Sequence, residues 1–220
     1  MNVGTLELKA GRPEVAVGLL RQAVAAAPQD PPVWMNLGWA LRELKHHDEA
    51  LAAFRESIRL NPDWVLPPIL MGSVYYDTGR YAEGIALLQS VVKRAPTFAL
   101  GYKFLGEFYR GAGRLNDAVV AYREAIRLNP KDRATFRLLA RTQVGMGAPQ
   151  AAVATLEEGL VILSGDPLLQ AELAELHDAT GHTRKARALW EAVASQSVDL
   201  ELSRFAAARL AQKRPRSVTE

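Results

Sequence analysis

The side chains able to do chemistry are few and poorly placed for it. The four histidines are His46, His47, His177 and His182. None sits in an H-E-x-x-H pattern, where two imidazoles one helical turn apart hold zinc and the glutamate serves as base. His46 and His47 are adjacent at a turn, so they point apart, and packing is the expected role of His47. Glu175 and Asp178 stand three apart on a predicted helix, with His177 between them in sequence but on another face. That spacing is poor for a shared ion. Paired carboxylates hydrolyse glycosides only across a cleft, with one pKa raised, and the pattern supplies no cleft. Gly111-Ala112-Gly113 and Gly145-Met146-Gly147 read as helix ends rather than phosphate loops, since glycine is the ordinary residue just past a helix. No Ser-His-Asp arrangement stands out. The chain has no cysteine, which excludes disulfides, thiolate nucleophiles and cysteine-held metals. The expectation is a protein that is not an enzyme, with no catalytic residue, no metal and no cofactor.

The elements that would carry these residues repeat. Pro28, Pro62, Pro96 and Pro130 recur every 34 residues, and Asn61-Pro62 returns as Asn129-Pro130. A fixed period of this size is the signature of stacked repeats. The stretch from Pro31 to Trp64 shows the unit. Trp34, Leu37, Gly38 and Leu41 share one helical face, Lys45-His46-His47 turn the chain, and Ala50, Phe54 and Ile58 face inward on a second helix. Asp30 and Asp48 are placed to cap the two helices. Lys and Arg number 27 against 24 Asp and Glu, a net charge of +3. That lacks the concentrated basic stripe of a nucleic-acid binder. No apolar run reaches the length of a membrane span, and the N-terminus lacks the apolar core of a signal peptide. The expected location is therefore cytoplasmic.

Trp34, Leu37, Gly38, Ala50, Phe54 and Pro62, together with Tyr102, Leu105, Gly106, Tyr109, Gly113, Ala118, Tyr122, Ala125 and Pro130, resemble the tetratricopeptide repeat pattern in type and spacing. The resemblance covers nearly the whole chain. It implies an all-α, right-handed solenoid of stacked antiparallel helix pairs. The expected division is a partial repeat over 1–30, full repeats over 31–64, 65–98, 99–132, 133–166 and a degenerate 167–200, a capping helix over 201–212, and a disordered tail over 213–220. Met1 falls at the fifth position of its unit, which fits either a frayed cap or an array that begins upstream. Gly38, Gly72 and Gly106 are expected to be small where helices approach. Ala50, Gly84, Ala118, Ala152 and Ala186 do the same on the second helices, opposite the large Phe54, Leu88, Tyr122, Leu156 and Trp190. Val15, Leu19, Leu20 and Ala23 are expected to give a second helix ending near Pro28. Pro67-Pro68, Pro149 and Pro167 are expected in first helical turns, with Asp166 as a cap.

The resemblance also implies where a ligand would sit. In such solenoids the first helix of each unit lines the concave groove, chiefly through positions two, five, nine, twelve and thirteen. The fifth-position row runs Met35, Ile69, Lys103, Arg137, Ala171, Phe205. The ninth-position row runs Trp39, Ser73, Glu107, Arg141, Glu175, Arg209, and its last four alternate in sign, so they can pair between neighbouring helices. Met35, Trp39, Ile69 and Tyr76 form an apolar strip. Lys103, Arg110, Arg137 and Arg141, with Glu107 among them, form a basic stretch suited to a carboxylate or phosphate. Glu172, Glu175 and Asp178 make the far end acidic. The lysine and asparagine set with which related domains grip chaperone tails is not matched here. The expected function is non-catalytic binding of a protein or peptide, partners with acidic groups included, with no nucleic acid and no membrane. Self-association through the apolar strip, or service as the targeting domain of a larger enzyme or assembly, are the alternatives.

Overall fold

A computed structural model describes residues 3–212, the side chain of Val3 excepted. The tail from Lys213 to Glu220, expected to be disordered, lies outside the described residues. The described chain is all-α, with thirteen helices and no strand. They are α1 (Val3–Lys9), α2 (Pro13–Ala26), α3 (Pro31–Glu43), α4 (His47–Leu60), α5 (Leu66–Asp77), α6 (Tyr81–Arg94), α7 (Ala99–Gly111), α8 (Leu115–Leu128), α9 (Arg133–Gly145), α10 (Pro149–Ile162), α11 (Pro167–Ala179), α12 (Thr183–Gln196) and α13 (Leu200–Gln212). The described residues fall into two compact units that divide between Arg114 and Leu115.

Local chemistry explains the helix ends. Pro13, Pro31, Pro67, Pro149 and Pro167 occupy first turns, where a missing N–H costs nothing. Asp166 caps α11 as expected, accepting from the Leu168 and Leu169 amides. Asp30 precedes α3 but its side chain makes no capping bond. Pro32 removes one of the amides that it would accept from, and Val33 N–H bonds the Asp30 carbonyl instead. Asp48 is not a cap, because α4 starts one residue earlier and places it in the first turn. The turns inside the helix pairs use left-handed backbone at Gly11, Gly79, Gly113, Gly147 and Gly181. In the first full pair Lys45 takes that conformation, with φ 61°, which a side chain resists.

In the first unit each helix packs on the next, and α5 also touches α3 and α7. Phe54 and Leu88 are fully buried, each burial worth about 1.5–3 kcal/mol. Ala50 is buried as expected, and a Cβ on Gly38 would come within 2.8 Å of the Phe54 ring. Gly72 is looser than expected, since a Cβ there would meet Phe108 at 3.7 Å, ordinary contact. The tight glycine is Gly84, where a Cβ would fall 1.9 Å from the same ring. The helix expected from Val15, Leu19, Leu20 and Ala23 is α2, but Val15 does not face inward. It is half exposed, and Ala16, Val17 and Leu20 carry the buried face.

In the second unit α8 through α13 pack in series. Ala118, Ala152, Ala186, Tyr122, Leu156 and Trp190 are buried. Leu202 and Leu210 of α13 pack, with Ala206, on the Trp190 cluster. Phe205 stays 46% exposed, edge-on to Trp190. Ion pairs tie residues about one period apart: Arg21–Glu49 and Arg42–Asp77 in the first unit, Arg123–Glu158 and Arg133–Asp166 in the second.

Candidate functional site

The groove residues of the first unit lie on α3, α5 and α7. Met35 and Trp39 are half-buried on α3, and the Trp39 indole donates to Glu43 Oε1 at 3.3 Å. Asn36 Nδ2 donates to Thr5 Oγ1 at 3.0 Å, so α1 borders this face of α3. Ile69 does not join the strip. It is 4% exposed, because α5 is packed by α3, α4, α6 and α7 and keeps little open surface. Tyr76 is half-buried and belongs to an aromatic trio. Its ring meets Phe108 at 5.4 Å and Tyr81 at 5.5 Å, both edge-on, the favoured aromatic geometry. The apolar surface is therefore smaller than the sequence suggested, being Met35, Trp39 and part of Tyr76. On α7, Lys103 and Glu107 are half-buried and Arg110 is exposed.

In the second unit, Arg137 and Arg141 stand one turn apart on α9 and both reach Glu172 on α11. Arg137 Nε donates to Glu172 Oε1 at 2.7 Å and Arg141 Nη2 at 2.6 Å. The Glu172 side chain is 13% exposed and that of Arg141 64%. Charge-assisted bonds of this kind are the strong ones. Two guanidiniums on one carboxylate leave one positive charge over. The ninth-position row predicted Arg141 opposite Glu175, but Arg141 takes Glu172, and Glu175 is exposed with no ion pair among the described residues. Nor is the far end simply acidic. Glu172 is engaged by the arginines, and Asp178 Oδ2 accepts from the Trp190 indole at 3.0 Å.

Between α9 and α11 these residues rim a cavity of about 290 Å³. Buried Ala140, Leu156 and Leu176 form its floor, and Val144, Arg141, Glu172 and Glu175 its rim. Val144 is 47% exposed. It lies at position twelve of its unit, which the rows at five and nine pass over. An apolar floor with a few placed charges is the usual make-up of a binding pocket.

The histidines take no part. His46 Nδ1 lies 3.4 Å from Glu49 Oε1. His177 is 4% exposed and edge-on to His182 at 5.5 Å. Burial pushes its pKa down, with Lys185 and His182 adding to the effect. Among the described residues no three His, Asp or Glu side chains are grouped to hold a metal, and no helix is long and apolar enough to cross a membrane.

Comparison with known proteins agrees with this architecture. One family profile described as tetratricopeptide repeat matches residues 4–63 and 69–133, and a second of the same description matches 109–171. Among solved structures, residues 41 to the end of MamA from Desulfovibrio magneticus RS-1 superpose with a TM-score of 0.64 at 23% identity, over 74% of this chain and 93% of that one. TTC0263 from Thermus thermophilus, a thermophilic protein of the same repeat type, gives 0.57 at 25% identity over 83% and 100%. A chain of the APC/C hetero-tetramer Cut9–Hcn1 gives 0.63 at 19% over 94% and 41%. No curated protein matches the chain in sequence.

Proposed function

Because the chain belongs to the tetratricopeptide repeat family, whose members are typically protein-interaction scaffolds, we propose that it is a non-catalytic scaffold holding a protein or peptide segment on the face that the first helices of the repeats present within each unit. Those repeats run over 31–64, 65–98, 99–132, 133–166 and 167–200. The observation that carries the reading is the cavity between α9 and α11, with exposed Val144 over its apolar floor and Arg141 and Glu175 at its rim. It takes one apolar side chain of the partner, while the rim charges fix the register of the segment. Met35, Trp39 and Tyr76 offer a second apolar anchor, and Lys103, Glu107, Arg110 and Arg137 supply polar contacts. Ile69 has no direct role. Glu172 already answers Arg137 and Arg141, so an acidic partner has to compete with it. The mouth of this cavity is close to neutral, and an apolar anchor contributes more here than an acidic one.

A photo-crosslinking residue at Val144 tests this, with one at Val161 as control. Val161 is 84% exposed on α10, away from the cavity. The expected result is a discrete crosslinked partner from Val144, abolished by adding Leu176→Glu, and none of it from Val161. Equal crosslinking from both positions would sink the reading.

A further inference from the structure

The second unit holds another, larger cavity, of about 530 Å³, formed by α11, α12 and α13 and lined by Asp178, Thr183, Arg184, Arg187, Trp190, Arg209 and Leu210. We propose that it is a second binding site, specific for a peptide segment that presents a carboxylate side chain beside an apolar one.

Four observations converge on that ligand. The charges are the first. Three guanidiniums line the cavity against one carboxylate, that of Asp178. Asp178 accepts the Trp190 indole N–H, and Arg187 is bound by Glu191 at 3.0 Å. Arg184 is exposed and forms no ion pair among the described residues.

The second is Arg209. Its guanidinium stacks over the Trp190 and Phe205 rings, 5.9 and 5.7 Å from their centroids. Its Nε is nonetheless buried without a hydrogen-bond partner. A buried donor without a partner is costly, and here it belongs to a group held in place by two aromatic faces. A carboxylate would satisfy it by the bidentate bond that guanidinium geometry favours.

The third is the start of α12. The second helices α2, α4, α6 and α8 each carry an acidic residue in the first turn, and α10 carries neither acid nor base there. The first turn of α12 carries no acid, and begins Thr183-Arg184-Lys185 instead, with no side-chain cap. Cations at a helix N-terminus oppose the dipole and the free amides there, which a bound anion reverses.

The fourth is size. A water occupies about 30 Å³, so the cavity exceeds a simple anion many times over, and Trp190 and Leu210 give it an apolar wall. Nucleic acid is disfavoured, because three arginines around one cavity do not make the continuous track that a phosphate backbone follows.

Heteronuclear NMR on the full chain tests the proposal, reading the Trp190 indole N–H and the Arg209 Nε–H. The titrants are a capped hexapeptide of alternating glutamate and leucine, its glutamine counterpart, inorganic phosphate, and an oligothymidylate. The expected result is a saturable shift of both signals with the glutamate peptide, and at least tenfold weaker binding by the glutamine peptide. Arg184→Ala with Arg187→Ala should weaken the glutamate peptide at least tenfold without lowering the melting temperature, since both side chains are exposed and Arg184 opposes the helix dipole. The proposal is overturned by an unmoved Trp190 signal, by undiminished binding to the double variant, or by phosphate or oligothymidylate binding as tightly as the peptide. Photo-crosslinking at Val144 reads the cavity between α9 and α11 alone, so the two sites succeed or fail separately.

Discussion

Gly84→Ala should destabilise the first unit, whereas Gly72→Ala should stabilise it. Both glycines lie in helices and both face Phe108. A methyl carbon at Gly84 would stand 1.9, 2.5 and 2.6 Å from three ring carbons. Carbons in contact rest about 3.5–4.0 Å apart, so ring or helix must yield by about 1.5–2 Å on that ideal. The ring has little room. Phe108 is 1% exposed and held edge-on by Tyr76 at 5.4 Å and Tyr81 at 6.3 Å. Overpacking of this kind costs about 1–3 kcal/mol, and the upper end applies. Better helix propensity returns about 1 kcal/mol, leaving a net loss of about 2 kcal/mol. At Gly72 the same methyl meets Phe108 at 3.7 and 3.9 Å and Leu88 at 4.0 Å. Only the propensity gain remains there, about 0.5–1 kcal/mol. Urea unfolding followed by circular dichroism compares the two. Amide exchange across α5 to α7 localises the effect, because repeat arrays need not unfold in one step. Phe108→Leu removes the offending ring atoms and should recover part of the loss when combined with Gly84→Ala. An unchanged or raised midpoint for Gly84→Ala, or no recovery in the double variant, would mean that Phe108 has room to move aside.

Four further outcomes are expected. Lys45→Gly relieves a left-handed residue that costs about 1–2 kcal/mol; part is lost to the freer unfolded chain, so calorimetry should show a net gain of about 0.5–1 kcal/mol. Glu172→Ala leaves Arg137 and Arg141 unanswered and should cost about 1–3 kcal/mol, while Arg141→Ala, at an exposed end of the pair, stays within about 0.5 kcal/mol in thermal melts. Asp166→Ala removes two amide bonds and the partner of Arg133, for about 1–2 kcal/mol. Asp30→Ala, which loses no capping bond, should shift the urea midpoint far less. His177, held below the ordinary histidine pKa by burial, then by Lys185 and His182, makes folding depend on pH. Its contribution is present above about 6.5 and is lost as the pH falls from there towards the lowered folded value, because the unfolded chain takes up the proton first. His177→Gln should flatten the melting temperature between about pH 7.5 and the acid side of that window, with Glu157 and Asp178, which act in the opposite sense on His177, left in place.

Helix positions were largely legible in the sequence, because proline, glycine and helical periodicity act through the backbone of their own segment. The small and large positions were legible too: Ala50 with Phe54 and Ala186 with Trp190 are buried as their spacing required. What the sequence missed depends on a neighbour's rotation. Gly38, Gly72 and Gly84 look alike as small residues at close approaches, yet only the placement of Phe54 and Phe108 decides which are tight. Ile69 shares a row with Met35, but α5 is enclosed on more sides than α3. Reading rows straight across assigned Arg141 to Glu175; an arginine is long enough to choose among acids, and Glu172, shared with Arg137, is the one engaged. The cavity at α12 had a visible signal in Thr183-Arg184-Lys185, a charge order opposite to that of most other second helices.

The ion pairs that tie one repeat to the next have a consequence for how such a chain comes to exist. Arg42 reaches Asp77, Arg123 reaches Glu158 and Arg137 reaches Glu172, each 35 residues on. Loop-closure entropy grows slowly with length, and contacts this local favour rapid folding. Synthesis can therefore lock each helix pair soon after the next emerges, with little waiting for distant sequence. Where a unit holds the arginine and an acid side by side, as in Arg42-Glu43 and Arg123-Glu124, duplicating that unit carries both ends of such a tie, so an array can lengthen by whole repeats while the new junction inherits its own fastening.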